Sequence, residues 1–334
     1  MAVRGSVSRF DDPYAFQAAI KPAQVEILVT AKGEFKAELT RVELSNLWVQ
    51  YGSENLPRIA HSSVSVDRPP IFFLTMADQA PIKHGGREFG FGEIAVAGSG
   101  SMHHHRTEGP CHWATLSISE DNLAAASRSL VGSDPSPRSS TRYLRPSSRL
   151  TARLLRLHQA VRQHADGPSG IPSPEPARAL EQALLHATID CLSETTTVEG
   201  NSGAHRHSAI IARLEEFLGA NYDRPLHLPE ICVAIGASER TLRVSCIEHL
   251  GMGPIRYLWL RRMHLARRAL IVTASTPGVV TEIATANGFW ELGRFAVEYR
   301  ALFGEAPSAT LRRDPEDMRK AQSNPFVFAD SEFA

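Results

Sequence analysis

Two groups of residues in this chain have types and spacings suited to chemistry. One is Ser101-Met-His103-His104-His105-Arg-Thr-Glu108. On a strand, alternate side chains share a face, so His103 and His105 would point the same way. Imidazole beside carboxylate suits iron or another first-row metal. His112 is a further ligand candidate that nothing in the sequence demands. The reading adopted is the plainer one: histidines at a surface or pocket rim, no metal and no cofactor, before a turn at Gly109-Pro-Cys111.

The other group lies in the C-terminal third and suits the edges and phosphates of double-stranded DNA. In Ser238-Glu239-Arg240-Thr241-Leu-Arg243, either arginine would pair with guanine O6 and N7, and Thr241 would meet a thymine methyl. Phosphate contact is an equally open reading for both arginines. In Glu291-Leu292-Gly293-Arg294, Gly293 permits close approach of backbone. Arg294 and Arg300 are base or phosphate candidates, while Trp290 is expected to pack in the core or against backbone. Arg256, Arg261, Arg262, Arg267 and Arg268 would line phosphates, with ordinary solvated helix charge as the alternative.

An internal repeat sets the elements that hold these residues. Leu228-Pro-Glu-Ile231 aligns with Val280-Thr-Glu-Ile283, and Gly236 with Gly288. After one extra residue, Leu242 aligns with Phe295, Leu250-Gly251 with Phe303-Gly304, and Pro254 with Pro307. Each copy reads as a helix, a glycine turn and a second helix, with Ser238 as an N-cap and Leu242, Phe295, Leu250 and Phe303 as core. In such a helix-turn-helix the second helix enters the major groove. Pro254 to Val272 lacks internal glycine or proline and predicts one connector helix of about 28 Å. That length would set two reading helices about one duplex turn (34–36 Å) apart.

The rest of the chain predicts an α+β protein. Runs at 25–30, 35–44, 47–51, 59–66, 71–76 and 113–118 read as short strands of a β-sandwich or small barrel, with turns at Gly52-Ser-Glu-Asn55 and Gly85-Gly86. Asp121–Leu130, Arg149–His164 and Pro174–Leu192 read as helices; the last two suit an antiparallel hairpin that dimerises the chain or covers the barrel. The expected domains are 1–193, a linker at 194–206, a helical domain at 207–313 and a poorly ordered polar tail at 314–334.

Composition bounds the function. The 334 residues carry 36 Lys+Arg and 36 Asp+Glu, which taken whole argues against a nucleic-acid protein. The charge is unevenly spread: seven arginines face only Glu239 and Glu248 between positions 239 and 268. No apolar run approaches the ~20 residues of a membrane span, and the N-terminus has no apolar leader. Four scattered cysteines without a CxxC read as reduced thiols, so a cytoplasmic protein is expected.

From Ala209 to Arg313 the sequence resembles the AraC family of bacterial transcription regulators. The resemblance is carried by Gly288-Phe, Arg294-Phe and Phe303-Gly-x-x-Pro-Ser308, by Ser238-x-Arg240-x-Leu242 and Leu250-Gly251-x-x-Pro254, and by Arg261-Arg262-Met263-x-Leu265-Ala266. It implies a cupin-like regulatory barrel in the N-terminal half. Cupin enzymes carry an HxH followed by Glu, but Glu108 comes too early for that spacing. Where the family often has arginine, two residues after the apolar residue of each reading helix, this chain has Val244 and Val297. The expected contacts therefore pass to neighbouring polar residues.

The function expected is sequence-specific transcription regulation, activation ahead of repression. The preference for activation rests on the resemblance alone; the two helices after the strands suggest a homodimer, and RNA polymerase and a small-molecule effector are the further partners expected. The alternatives are a cupin-type metalloenzyme with an appended DNA-binding domain, and a structural DNA binder that senses nothing.

Overall fold

The computed structural model describes residues 4–132, 141–166, 174–194, 202–221, 224 and 226–313. The chain opens with β1 (Arg4–Phe10), α1 (Pro13–Ala19), β2 (Gln24–Val29), β3 (Ala37–Glu43), β4 (Trp48–Glu54), β5 (Arg58–Ser63) and β6 (Pro70–Leu74). Then come β7 (Ile82–His84), β8 (Arg87–Phe89), β9 (Ile94–Val96), β10 (Met102–Arg106) and β11 (Cys111–Ser117). Next are α2 (Glu120–Val131), β12 (Arg142–Leu144), α3 (Ser148–Asp166) and α4 (Pro174–Ser193). The remainder is helical: α5 (Ser202–Ala220), α6 (Leu228–Ile235), α7 (Glu239–Leu250), α8 (Pro254–Val272), α9 (Val279–Ala286), α10 (Leu292–Phe303) and α11 (Pro307–Leu311).

The strands form two antiparallel sheets. The larger has the order β1-β3-β4-β11-β6-β9-β12, the smaller β2-β5-β10-β7-β8. Between them lies a core of Phe16, Ile27, Leu39, Ala60, Phe72, Leu74, Phe89 and Trp113. A second core, with Leu154, Val161, Leu184 and Ile189, seals the other face of the larger sheet against Val49, Ile71, Phe73 and Leu116. The α3–α4 hairpin thus covers the barrel.

Each expected strand falls on an observed one, but β4 runs through to Glu54 where a turn at Gly52 was predicted. Gly52 pairs with Trp113 across the ladder, and a Cβ there would run into the indole. The glycine therefore makes room for a ring inside a strand. Helix α5 starts at Ser202, inside the stretch expected to be linker. The remaining linker positions 195–201 and the tail 314–334 lie outside the described residues. Among the described residues, no helix is long and apolar enough to cross a membrane.

Candidate nucleic-acid interface

The two repeat copies form the expected pair of helix-turn-helix units. After α6, Gly236 takes φ +63° and Ala237 N–H donates to Cys232 O at 3.1 Å. After α9, Gly288 takes φ +76° and Phe289 N–H donates to Ala284 O at 2.9 Å. A left-handed residue closes a helix this way at little cost only as glycine. Ser238 caps α7, its Oγ accepting from Thr241 N at 3.1 Å, whereas Glu291 ahead of α10 makes no capping bond. Leu242, Phe295 and Leu250 are buried in the core of this helical half, and Phe303 packs against it.

The opposite faces of α7 and α10 are open. On α7, Arg240, Arg243, Val244 and Ile247 are exposed at helical spacing. On α10, the same face carries Gly293, Ala296, Val297 and Arg300. Glu239 and Glu291 are exposed beside them, and Thr241 is half-buried with its hydroxyl 2.7 Å from Ser238 Oγ. Arg294 is exposed but tied to Glu298 by a 2.9 Å ion pair. Arg256 is exposed and lies over the Trp259 ring, whose Nε1–H donates to Glu298 at 2.9 Å. Trp290, expected in the core, is 75% exposed, and Leu292 also reaches solvent. Trp290 sits in the turn ahead of α10, where the Phe289 ring has already taken the place against Phe295.

Arg261 does not line the DNA face. It is buried, with Nη1 2.7 Å from Glu215 Oε2 and 3.1 Å from Glu26 Oε2. Burial alone would lower its pKa; the two carboxylates outweigh that and raise it. Arg267 is likewise buried, 2.6 Å from Asp12 and 3.0 Å from Glu305. Both were phosphate candidates in the sequence because their acidic partners lie far away along the chain.

These two arginines belong to one stripe of α8 that docks on the barrel. Tyr257, Arg261, His264, Arg267 and Ile271 recur every three or four residues, which puts them on one helix face. Tyr257 Oη donates to Glu215 at 2.7 Å and lies 2.8 Å from His61 Nε2. His264 Nε2–H donates to Val29 O at 3.1 Å. Asp12 accepts from Tyr14 N through Oδ1, capping α1, and from Arg267 through Oδ2. Ile271 joins the core of the barrel, and Leu28 and Ile59 of the barrel join the core of the helical half.

The smaller sheet therefore has a different neighbour on each face. Val25 and Ile27 of β2, Ala60 and Ser62 of β5, and His103 and His105 of β10 line a cavity of about 80 Å³ inside the barrel. The alternate residues Glu26, Leu28, Ile59, His61 and His104 meet the helical half. Period-two alternation alone makes one set of strands serve both. The cavity wall is mostly apolar, with Phe72 and Trp113 prominent. Burial lowers the His103 pKa to about 4 and that of His84 to about 3, so both rings are neutral at pH 7. His84 Nδ1 bonds Tyr143 Oη at 2.9 Å and His103 lies 3.0 Å from Thr141 Oγ1. Among the described residues, no group of three or more His, Cys, Asp or Glu side chains is arranged to hold a metal ion.

Sequence reasoning missed Asp12, Glu26, His61, Glu215 and Tyr257. The one available signal was a buried-type spacing of mixed polar residues along α8.

A helix-turn-helix domain family model matches residues 231–313. The chain is 32% identical over 128 residues to the XylDLEGF operon transcriptional activator 2 of Pseudomonas putida, covering 38% of this chain and 77% of that protein. It is 38% identical over 106 residues to the Rhodococcus erythropolis protein named "Probable thc operon regulatory protein", covering 32% of each. The match thus spans about a third of that relative's length. Among solved structures, the AraC-like transcriptional activator CuxR aligns over 85% of this chain and 99% of its own, at 17% identity and a TM-score of 0.42. With two helix-turn-helix units, and the Pseudomonas putida activator matched at 32% identity over 77% of its length, the chain belongs to the AraC family of DNA-binding transcriptional regulators.

Proposed function

We propose that this protein is a sequence-specific transcriptional activator whose DNA-binding half is controlled by a small molecule in the barrel. Residues 1–193 form the regulatory unit and 207–313 the DNA-reading unit. The observation that carries this reading is the smaller sheet, with the cavity on one face and the helical half on the other. A ligand that shifts β5 or β10 acts on His61 and His104, and through them on α8 and α7. Relatives named as activators support activation over repression. Activation brings a contact with RNA polymerase, and pairing of two copies in the cytoplasm would present four reading helices to double-stranded DNA.

The test is footprinting of the full chain on DNA upstream of its neighbouring genes, with a promoter reporter. Protection of one short site and a reporter response altered by the cavity-filling Ala60→Phe are expected. Uniform coverage of DNA favours a purely structural binder and overturns the reading. An unaltered reporter response removes the role of the cavity.

A further inference from the structure

The two reading helices offer DNA different chemistry. With Leu242 superposed on Phe295, Arg240, Arg243, Val244 and Ile247 of α7 correspond to Gly293, Ala296, Val297 and Arg300 of α10. Arg240 and Arg243 have no ion-pair partner among the described residues, so α7 presents two uncommitted guanidinium groups. The face of α10 begins with three small or apolar residues and reaches a cation only at Arg300.

A single exposed valine carries no information. Here the same position is valine in both copies, 44% exposed at Val244 and 70% at Val297, in the middle of each outward face. A β-branched residue on an open helix face loses side-chain freedom and gains nothing from its own fold. Gly293 adds an independent observation. A Cβ placed there would meet nothing within 4 Å, so no packing inside the protein requires glycine. The open space at Gly293 lets a surface approach the backbone closely from outside.

Resting on the DNA-binding reading above, we infer that Val244 and Val297 contact thymine C5-methyl groups in the major groove, and that the two half-sites differ in composition. The half-site under α7 holds guanine, read by Arg240 or Arg243 at O6 and N7. The half-site under α10 is thymine-rich, with Val297 and Ala296 against methyl groups, Gly293 allowing the helix to sit deep, and Arg300 on phosphate. Thymine is the base that offers an apolar group in that groove, so a small apolar helix face selects it. The asymmetry also orients the protein on its site, because a reversed complex would set arginines over methyl groups.

The experiment selects binding sites for the full chain from a random-sequence duplex library, then replaces thymine by deoxyuridine at single positions of the selected site. The expected site has guanine in one half and thymines in the other. Removing one contacted methyl weakens the wild type about fourfold, equivalent to ~0.8 kcal/mol. Val297→Ala, an exposed change that favours the helix, loses most of the thymine-over-uracil preference at the position under residue 297 and keeps it at the position under Val244. Arg240→Ala with Arg243→Ala relaxes the guanine preference and leaves uracil sensitivity intact. Equal wild-type affinity for thymine and uracil duplexes overturns the inference while DNA reading stands. So does a Val297→Ala protein with undiminished sensitivity to the methyl group under residue 297. If the library yields no preferred site, sequence-specific reading itself fails and takes the inference with it.

Discussion

His104 Nε2 of β10 lies 2.7 Å from His249 Nδ1 near the end of α7, so the barrel and the first reading helix meet through two imidazoles. One ring must donate and the other accept, so the accepting ring must be neutral, and the bond is lost once both rings are protonated. Burial lowers the pKa of both rings. The surroundings add His61 and Tyr257 beside His104, Glu248 and His207 near His249, and Glu215 behind the tyrosine.

Acid should therefore loosen this contact. An undocked histidine titrates near ~6.5, while the docked rings titrate lower, so the open state binds more protons as pH falls. The docking contribution is fully present above ~6.5 and is lost as pH drops toward the lowered values. Amide exchange, corrected for intrinsic rate, is expected to rise at 104–106 and 248–250 between pH 7.5 and 5.5. His104→Leu should blunt that change. Unaltered protection across this range in the wild type would falsify the assignment.

Removing Arg267 should destabilise the whole chain. Its guanidinium is almost fully buried between Asp12 and Glu305; truncating it leaves the buried Asp12 carboxylate without a cation, and truncating Asp12 leaves the guanidinium with Glu305 alone. Such losses cost about 3–5 kcal/mol. Asp12→Ala should match or exceed Arg267→Ala, because the α1 cap is lost as well, typically ~1 kcal/mol. Urea unfolding of the singles and of the Asp12→Asn, Arg267→Met pair gives the coupling. Simple additivity of the two changes would show that the pair contributes nothing.

The arginines should sort into two classes by opposite readouts. Arg240→Ala and Arg243→Ala are expected to weaken binding to a selected site by about 1–3 kcal/mol each, with stability unchanged within ~0.5 kcal/mol. Arg294→Ala should also weaken binding. Arg261→Ala should do the reverse, costing stability through Glu215 and Glu26 left without their cation. Fluorescence anisotropy with a labelled duplex and urea unfolding separate the classes. An Arg261→Ala protein of normal stability that no longer binds DNA would return that residue to the DNA face.

How far the sequence carried this far depends on the range of each interaction. Gly236, Ser238 and Gly288 are legible because a turn or cap is set by neighbours within four residues. The strands 25–30 and 113–118 are legible because each buries a regular run against a sheet. The role of Arg267 was not, because it depends on Asp12, which is 255 positions away. Trp290 was misplaced for a related reason: burial of a large ring is the general tendency, and only the tertiary arrangement reveals that Phe289 already fills the space. The short β7, β8 and β9 carry too few residues for a period-two signal.

Gly86 offers the most selective way to open the interface. It turns between β7 and β8 at φ +83°, and a Cβ there would run into the His249 ring. Gly86→Ala therefore faces a left-handed backbone penalty of roughly 1–2 kcal/mol and a clash with the partner half. The clash is relieved if α7 moves away, while the penalty stays inside a two-stranded turn at the sheet edge. The barrel should keep its fold and the interface should open at neutral pH, exposing 104–106 and 248–250 to exchange as acid does in the wild type. Gly92→Ala is the matched control, since Gly92 is left-handed at φ +88° and a Cβ there meets nothing within 4 Å. If docking transmits the state of the cavity, Gly86→Ala should also erase the difference that Ala60→Phe makes in the promoter reporter. Persistence of that difference with the interface open would mean that the signal travels by another route than β10 and α7.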